Sequence, residues 1–218
     1  MNVFLDLDGT LTDSAPGITR CLAHALASLG AQVPDVAALR SCIGPPLDHS
    51  FRRLLGTDDA ARIAEAIAHY RERFAASGMY ENAVYAGIPE NLAALRAAGR
   101  RLFVVTSKPR VYAAQIVEHF ELSGFFENVY GPDEDGVLHD KADLIARVLS
   151  AESIAPKTAT MVGDRYHDML GARKNGVASL GVLWGYGSRE ELTSAGAGAL
   201  LASPYELAAA LTIGAKGV

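Results

Sequence analysis

The sequence predicts an α/β fold: a parallel sheet with helices on both faces, interrupted after its first strand by a helical insert. Three observations carry this. From Gly87 onward, short apolar runs alternate with segments of helical period. Residues 15–80 show helical periodicity alone, with no strand-like run between. The first apolar run, Val3-Phe4-Leu5, leads into two carboxylates, Asp6 and Asp8, and then a glycine. That is the pattern of a buried strand delivering acid groups at its end.

Alternate residues of a strand point the same way, so Asp6 and Asp8 are able to share a face unless Gly9 bends the chain first. Two carboxylates this close repel, and at the end of an apolar strand they require a nearby cation or a proton. By itself Asp8-Gly9 is equally a turn, with Asp6 capping the helix that follows. A calcium loop of the EF-hand type does not fit. Counted from Asp6, its sixth and twelfth positions hold Leu11 and Gly17 where glycine and glutamate are needed.

After Ser14 the pattern turns helical. Leu22, Ala25, Leu26 and Leu29 recur at helical spacing up to Gly30, a second helix is expected over 36–42, and Ile43-Gly44-Pro45-Pro46-Leu47 must be a loop. A third helix covers 48–55. A fourth covers 58–76, with Ile63, Ile67, Tyr70 and Phe74 on one face, and Gly78 ends it. The second half reads as helix 88–98 stopped by Gly99, strand 101–106, helix 111–122, strand 127–130, a loop at 133–136, helix 141–149 and strand 158–163. Helix 169–174, strand 179–184, an Ala-Gly-Ala-Gly-Ala loop at 195–199, a weak strand at 199–202 and helix 204–211 complete it. In such sheets, ligands lie beyond the carboxyl ends of the strands.

Three of those strand ends carry chemistry. Thr106-Ser107-Lys108-Pro109 offers hydroxyls and free backbone N–H groups able to hold phosphate oxygens without adding charge, although the same residues suit a turn capping the next helix. Gly163-Asp164-Arg165-Tyr166-His167-Asp168 again sets two acids after an apolar run. Gly185-Tyr186-Gly187-Ser188 lacks the third glycine of a dinucleotide loop, and no P-loop motif occurs. Lys141 opens a helix, a position at which a lone lysine is ordinarily solvated.

Composition sets the outer bounds. At 218 residues and 50% hydrophobic content, the chain can build one full domain with a smaller accessory one. Cys21 and Cys42 have neither C-x-x-C spacing nor neighbouring histidines, which argues against zinc or a disulfide framework and for a reducing, cytoplasmic setting. No apolar run approaches the roughly 18–20 residues of a membrane span, and Met1-Asn2 leads directly into the first strand without a basic leader segment. A net charge of −5 disfavours a nucleic-acid surface. Residues 14–81 hold 7 Arg and no Lys against 7 Asp and Glu, so the excess acid lies in the rest of the chain, where it suits a cation site and equally a generally acidic surface.

The run Asp6-Leu7-Asp8-Gly9-Thr10-Leu11-Thr12-Asp13-Ser14, followed in order by Thr106, Lys141 and Gly163 to Asp168, resembles the four motifs of the haloacid dehalogenase superfamily. Within it the chain resembles the phosphoglycolate phosphatase group; the superfamily's dehalogenases lack an acid at the position of Asp8, and its ion-pumping ATPases carry threonine there. The resemblance implies a Rossmann-like core of residues 1–14 and 82–218, with 15–81 forming a helical cap that closes over the site. It makes Asp6 the nucleophile, Asp8 the general acid and base, Thr106 a hydrogen-bond donor to the phosphoryl group and Lys141 the charge that offsets both. Mg²⁺ would be held by Asp6, the Asp8 carbonyl, Asp164 and Asp168. Gly9, Thr10, Ser107 and Gly44 would meet the substrate; Ser107 stands where many relatives have asparagine, and Gly44 lies in the loop expected to reach the site from the cap. Cap arginines such as Arg40, Arg52 and Arg53 are candidates for a second anionic group. His167 is set aside as a base, because the family uses the first-motif aspartate.

The expected activity is Mg²⁺-dependent hydrolysis of a small phosphorylated metabolite such as 2-phosphoglycolate, through an aspartyl-phosphate. Nucleoside 5′-monophosphates are the alternative substrates, a sugar phosphomutase is an alternative activity, and a non-catalytic binding protein is the reading from another class. Expected partners are the small metabolite alone, with no nucleic acid or membrane, in a monomer or small homo-oligomer.

Overall fold

The structure is a computed structural model and is described for residues 1–133 and 140–213. Of the loop expected at 133–136, residues 134–136 lie outside the described residues. In chain order the elements are β1 (Asn2–Leu5), β2 (Thr12–Asp13), α1 (Ala15–Ser28), α2 (Val36–Arg40), α3 (Leu47–Leu55), α4 (Ala60–Arg73) and β3 (Ala83–Val84). Then follow α5 (Ile88–Ala97), β4 (Arg101–Val105), α6 (Arg110–His119), β5 (Asn128–Tyr130), α7 (Lys141–Ala151) and β6 (Ala159–Gly163). The last are α8 (Tyr166–Lys174), β7 (Ala178–Val182), α9 (Arg189–Ser194), β8 (Ala199–Leu201) and α10 (Leu207–Ile213). The chain divides into two compact units, one of Met1–Thr12 with Val84–Val218 and one of Asp13–Ala83.

The larger unit holds a six-stranded sheet in the order β5-β4-β1-β6-β7-β8, with every neighbouring pair parallel. Its strands are apolar at nearly every position, as strands covered on both faces must be. Phe4 and Phe103 meet edge to face at 5.8 Å. They form one core cluster with Leu144, Ile145 and Val148 of α7 and with Met161 of β6. The chain leaves β1 for β4 on one side and later returns to β6 on the other, so the order reverses between β1 and β6. Crevices at such a reversal are where ligands bind in open α/β sheets. Leu5 pairs with Val162 there, which places Asp6 and Asp164 just past adjacent strand ends.

The smaller unit is helical. Cys21, Leu22, Ala25 and Leu26 of α1 are buried, as are Phe51 of α3 and Ile63, Ala66 and Tyr70 of α4. Tyr70 stacks on Phe74 at 5.5 Å and meets Phe51 edge to face. Asp35 caps α2 by accepting from the Ala38 N–H, and Asp59 caps α4 by accepting from the Ala61 and Arg62 N–H groups. A π-type turn, Phe74–Gly78, ends the last helix where glycine was expected to end it.

Several elements differ from the sequence reading. Helix α8 begins at Tyr166, three residues before the expected start at 169, because the Asp168 carboxylate accepts from the Arg165 N–H and caps the helix from its own first turn. Helix α9 was not expected, and the loop expected at 195–199 is shorter than that, since Ala199 already belongs to β8. The crossings between units, β2 and β3, pair as a two-residue ribbon that no periodicity could announce.

Candidate active site

The site begins with the turn after β1. The Asp6 N–H still donates to the Val162 carbonyl at 3.0 Å, as a ladder bond would, and then the chain reverses. Gly9 makes this possible with φ +83°, a left-handed conformation that a side chain disfavours. A Cβ on Gly9 would also overlap the Asp164 carboxylate. The Leu7 carbonyl closes the turn, accepting from the N–H groups of Leu11 at 2.9 Å and Thr12 at 3.1 Å.

Lys141 sits where Asp140 caps α7, accepting from the Ala142 N–H at 2.8 Å. Its ammonium is not solvated: Lys141 is 2% exposed. Nζ donates to the Val105 carbonyl at 2.9 Å and stands 3.1 Å from Asp6 Oδ1 and 2.8 Å from Asp168 Oδ1. The ammonium thus has one hydrogen bond and two ion-pair contacts. Burial alone would lower the Lys141 pKa, but the charges of Asp168 and Asp6 more than reverse this and hold it above the usual lysine range.

Asp164 and Asp168 are fully buried. The Asp168 Oδ2 accepts from the Arg165 N–H at 3.2 Å, which ties its carboxylate to the start of α8. Asp164 accepts from the Tyr186 N–H at 2.8 Å and the Thr10 hydroxyl at 3.4 Å. Among the described residues, Asp6, Asp164 and Asp168 bring one carboxylate oxygen each within 4.8 Å of one another. Burial, with Asp6 and Asp168 adding repulsion, pushes the Asp164 carboxyl well above its ordinary range. Burial likewise raises Asp168, and the Lys141 charge opposes that shift. Three buried acids share one ammonium, and the oxygens they offer are all hard donors. That set fits Mg²⁺.

Asp8 is absent from this trio. Its Oδ2 forms an ion pair with Lys108 Nζ at 2.8 Å, and by the resemblance it is the carbonyl of this residue that would meet a metal. Thr106 is buried at the end of β4, and its hydroxyl accepts from the Lys108 N–H at 3.2 Å, leaving its own proton to donate. Ser107 follows it, half-buried. Gly44 belongs to the helical unit, between α2 and α3, with φ +105°. His167 lies beside Lys141 and Arg165, and burial first, then those charges, pushes it down to about 4. It is neutral near pH 7.

Two contributors were not expected from sequence. One is Lys108, whose partner Asp8 lies far away along the chain. The other is the turn after β7, set aside above as an incomplete dinucleotide loop. The Trp184 indole N–H donates to the Thr10 carbonyl at 3.0 Å, and the backbone around Tyr186 closes on Asp164. A Cβ on Gly185 would overlap the Asp164 side chain and one on Gly187 the Asp164 backbone carbonyl, so the glycines permit a close approach of this turn to Asp164.

The family model for haloacid dehalogenase-like hydrolases matches residues 3–182. A 5′-nucleotidase of Pseudomonas aeruginosa is 50% identical over 88% of this chain and 86% of its own length. A plasmid-encoded phosphoglycolate phosphatase of Cupriavidus necator is 30% identical over 96% and 92%. The tyrosine-protein kinase PtkA of Mycobacterium tuberculosis is 42% identical over 85% of this chain but only 62% of its own. Among solved structures, a predicted phosphatase from Clostridium acetobutylicum superposes with a TM-score of 0.91 at 43% identity, over 96% and 97% of the two chains.

Proposed function

The chain belongs to the haloacid dehalogenase-like hydrolases and is a phosphatase of that family, and from this premise we propose that it hydrolyses phosphomonoesters through a covalent aspartyl-phosphate on Asp6. The observation that supports this best is the position of the Asp6 carboxylate at the end of β1, with Lys141 3.1 Å away. An ammonium there meets the charge of the incoming phosphoryl group.

In the first step an Asp6 oxygen attacks phosphorus in line while the bond to the leaving oxygen breaks, and Asp8 gives its proton to that oxygen. In the second step Asp8 takes a proton from water as the water oxygen attacks phosphorus and the aspartyl P–O bond breaks. Thr106 donates to an equatorial oxygen, and Lys141 offsets charge throughout. Mg²⁺ held by Asp6, Asp164 and Asp168 would supply charge stabilisation to the equatorial oxygens.

Substrate choice is proposed to lie with the helical unit acting as a cap, through the turn that carries Gly44. Nucleoside 5′-monophosphates are the favoured substrates, because the relative sharing half of the residues is named a 5′-nucleotidase. Phosphoglycolate is the second reading, supported by relatives near 30% identity. The reaction is intended for a small metabolite, with no nucleic acid or membrane partner, in a monomer or small homo-oligomer. Among the described residues no helix is long and apolar enough to cross a membrane.

The test is phosphate release from nucleoside 5′-monophosphates, 2-phosphoglycolate, sugar phosphates and p-nitrophenyl phosphate, with Mg²⁺ and with EDTA. Expected are hydrolysis that EDTA abolishes and Mg²⁺ restores, best rates on the nucleotides, and a loss on the order of 10⁴-fold or more in Asp6→Asn with its circular dichroism unchanged. Silence across the panel, or an active Asp6→Asn, would contradict the proposal.

A further inference from the structure

Asp8 is held in a lopsided way. Its Oδ2 is 2.8 Å from Lys108 Nζ, and the Lys108 side chain is only 7% exposed. Its Oδ1 is buried and has no hydrogen-bond partner among the described residues. A buried carboxylate oxygen left without a partner is costly unless something arrives to use it. Lys108 is itself fixed from both directions. Its backbone N–H donates to the Thr106 hydroxyl, so the residue that faces the phosphoryl group and the residue that grips Asp8 share one turn after β4. Lys141 is engaged elsewhere, with Asp6, Asp168 and the Val105 carbonyl. The two lysines therefore divide the acids between them.

We propose that Lys108 is a positioning residue for proton transfer: it clamps Asp8 Oδ2 and leaves Oδ1 as the atom that carries the proton. This rests on the assignment of Asp8 as general acid and base. In the first step the Oδ1 proton passes to the leaving oxygen as its bond to phosphorus breaks, and the carboxylate that results is met by the Lys108 charge. In the second step the same Oδ1 accepts the proton of the attacking water. With the other oxygen clamped, the carboxylate does not rotate between the two steps. The proton is given and taken along one line.

The prediction concerns leaving groups. An alkoxide departs from phosphorus only with a proton, whereas p-nitrophenolate departs without one. Because kcat/KM reports steps up to the first irreversible one, the ratio of kcat/KM for a nucleoside 5′-monophosphate to that for p-nitrophenyl phosphate isolates proton delivery. Positioned acid–base groups contribute about 10²–10⁴-fold, so this ratio should fall by at least about tenfold in Lys108→Met. Lys108→Arg should bring it back to within about threefold of the parent, since it restores a cation at Oδ2. Lys108→Gln, which keeps length but not charge, serves should the methionine variant fail to fold, and its ratio should fall as well.

Asp8→Asn separates the two levels of the claim. A lowered ratio in Asp8→Asn together with an unchanged ratio in the Lys108 variants would overturn the positioning role and leave Asp8 as the acid. An unchanged ratio in Asp8→Asn would remove the acid assignment, and the proposal with it. Equal losses on both substrates in Lys108→Met and Lys108→Gln, with no rescue by arginine, would mean that Lys108 is only structural and would also overturn the proposal.

Discussion

The chemistry of single residues here is set by burial. Asp164 and Asp168 are carboxyls with no exposure, and both titrate above their ordinary value of 3.8, Asp168 at about 6. Burial is the first cause and neighbouring acids add to it. A carboxyl raised on folding stabilises the protein fully below its unfolded value and loses that contribution as pH rises through the folded one. The metal-free protein should therefore lose stability between about pH 4 and the folded titrations of this pair at about pH 6 and above. A divalent cation removes the repulsion. The rise in Tm caused by Mg²⁺ should be larger at pH 7.5 than at pH 5, measured by thermal unfolding in EDTA and in Mg²⁺. An equal rise at both pH values would contradict the placement of the cation among these acids. Asp6, Asp8, Asp164 and Asp168 were singled out in sequence because each pair follows an apolar run, while their roles came from the resemblance. Lys108 was not. A single lysine carries no spacing signal, and its meaning comes from a partner reached only through the fold. Lys141 was legible only by its resemblance to a family motif, since on pattern alone a helix-opening lysine reads as surface.

At the scale of elements, the short helix α9 acts as a brace for the loop that carries two of the acids. Its Glu191 accepts from both the Arg165 Nε and the Tyr166 N–H at 2.9 Å. Ser188 in turn caps α9 by accepting from the Glu191 N–H at 3.1 Å. Arg165 precedes α8 and donates its own N–H to Asp168. The carboxylate of Glu191 thus fixes the backbone from which Asp164 and Asp168 project. Supporting hydrogen bonds of this kind are worth about 10–100-fold in metal affinity. Glu191→Ala should raise the Mg²⁺ concentration for half-maximal activity by about tenfold. An unaltered Mg²⁺ titration would show that the loop holds its shape unaided. Sequence reading missed α9 because Arg-Glu-Glu-Leu-Thr-Ser buries only Leu192, and one apolar residue in six makes no period. It started α8 late for a related reason: the capping position holds Arg165, whereas Ser, Thr, Asp or Asn is the usual signal. The long elements were legible where their apolar faces were long. The four helices of the smaller unit and the central strands followed directly from periodicity.

At the scale of the whole molecule, the sheet order decides where chemistry can occur. The reversal between β1 and β6 sets adjacent strand ends side by side, and Asp6 and Asp164 occupy them. β4, on the other side of β1, contributes Thr106 and Lys108 from its own end. A parallel sheet was evident from the alternation of strands and helices, and the strand-end rule pointed to the right loops. The order of the strands and their register were not, because pairing between remote segments leaves no local trace in the sequence. The division into two units follows a change of composition as well. Residues 14–81 balance arginine against acid, while the sheet-bearing residues hold the surplus acid that a cation site needs.

The most direct test of the account is to find where the phosphoryl group goes. The enzyme is mixed with excess substrate and Mg²⁺, quenched with acid during turnover and reduced with borohydride, which converts an aspartyl-phosphate to homoserine. Peptide mass spectrometry then locates the product. The account predicts homoserine at position 6 and none at positions 8, 164 or 168. Reduction at one of those other acids, or continued phosphate release with no reduced aspartate in any quenched sample, would contradict it.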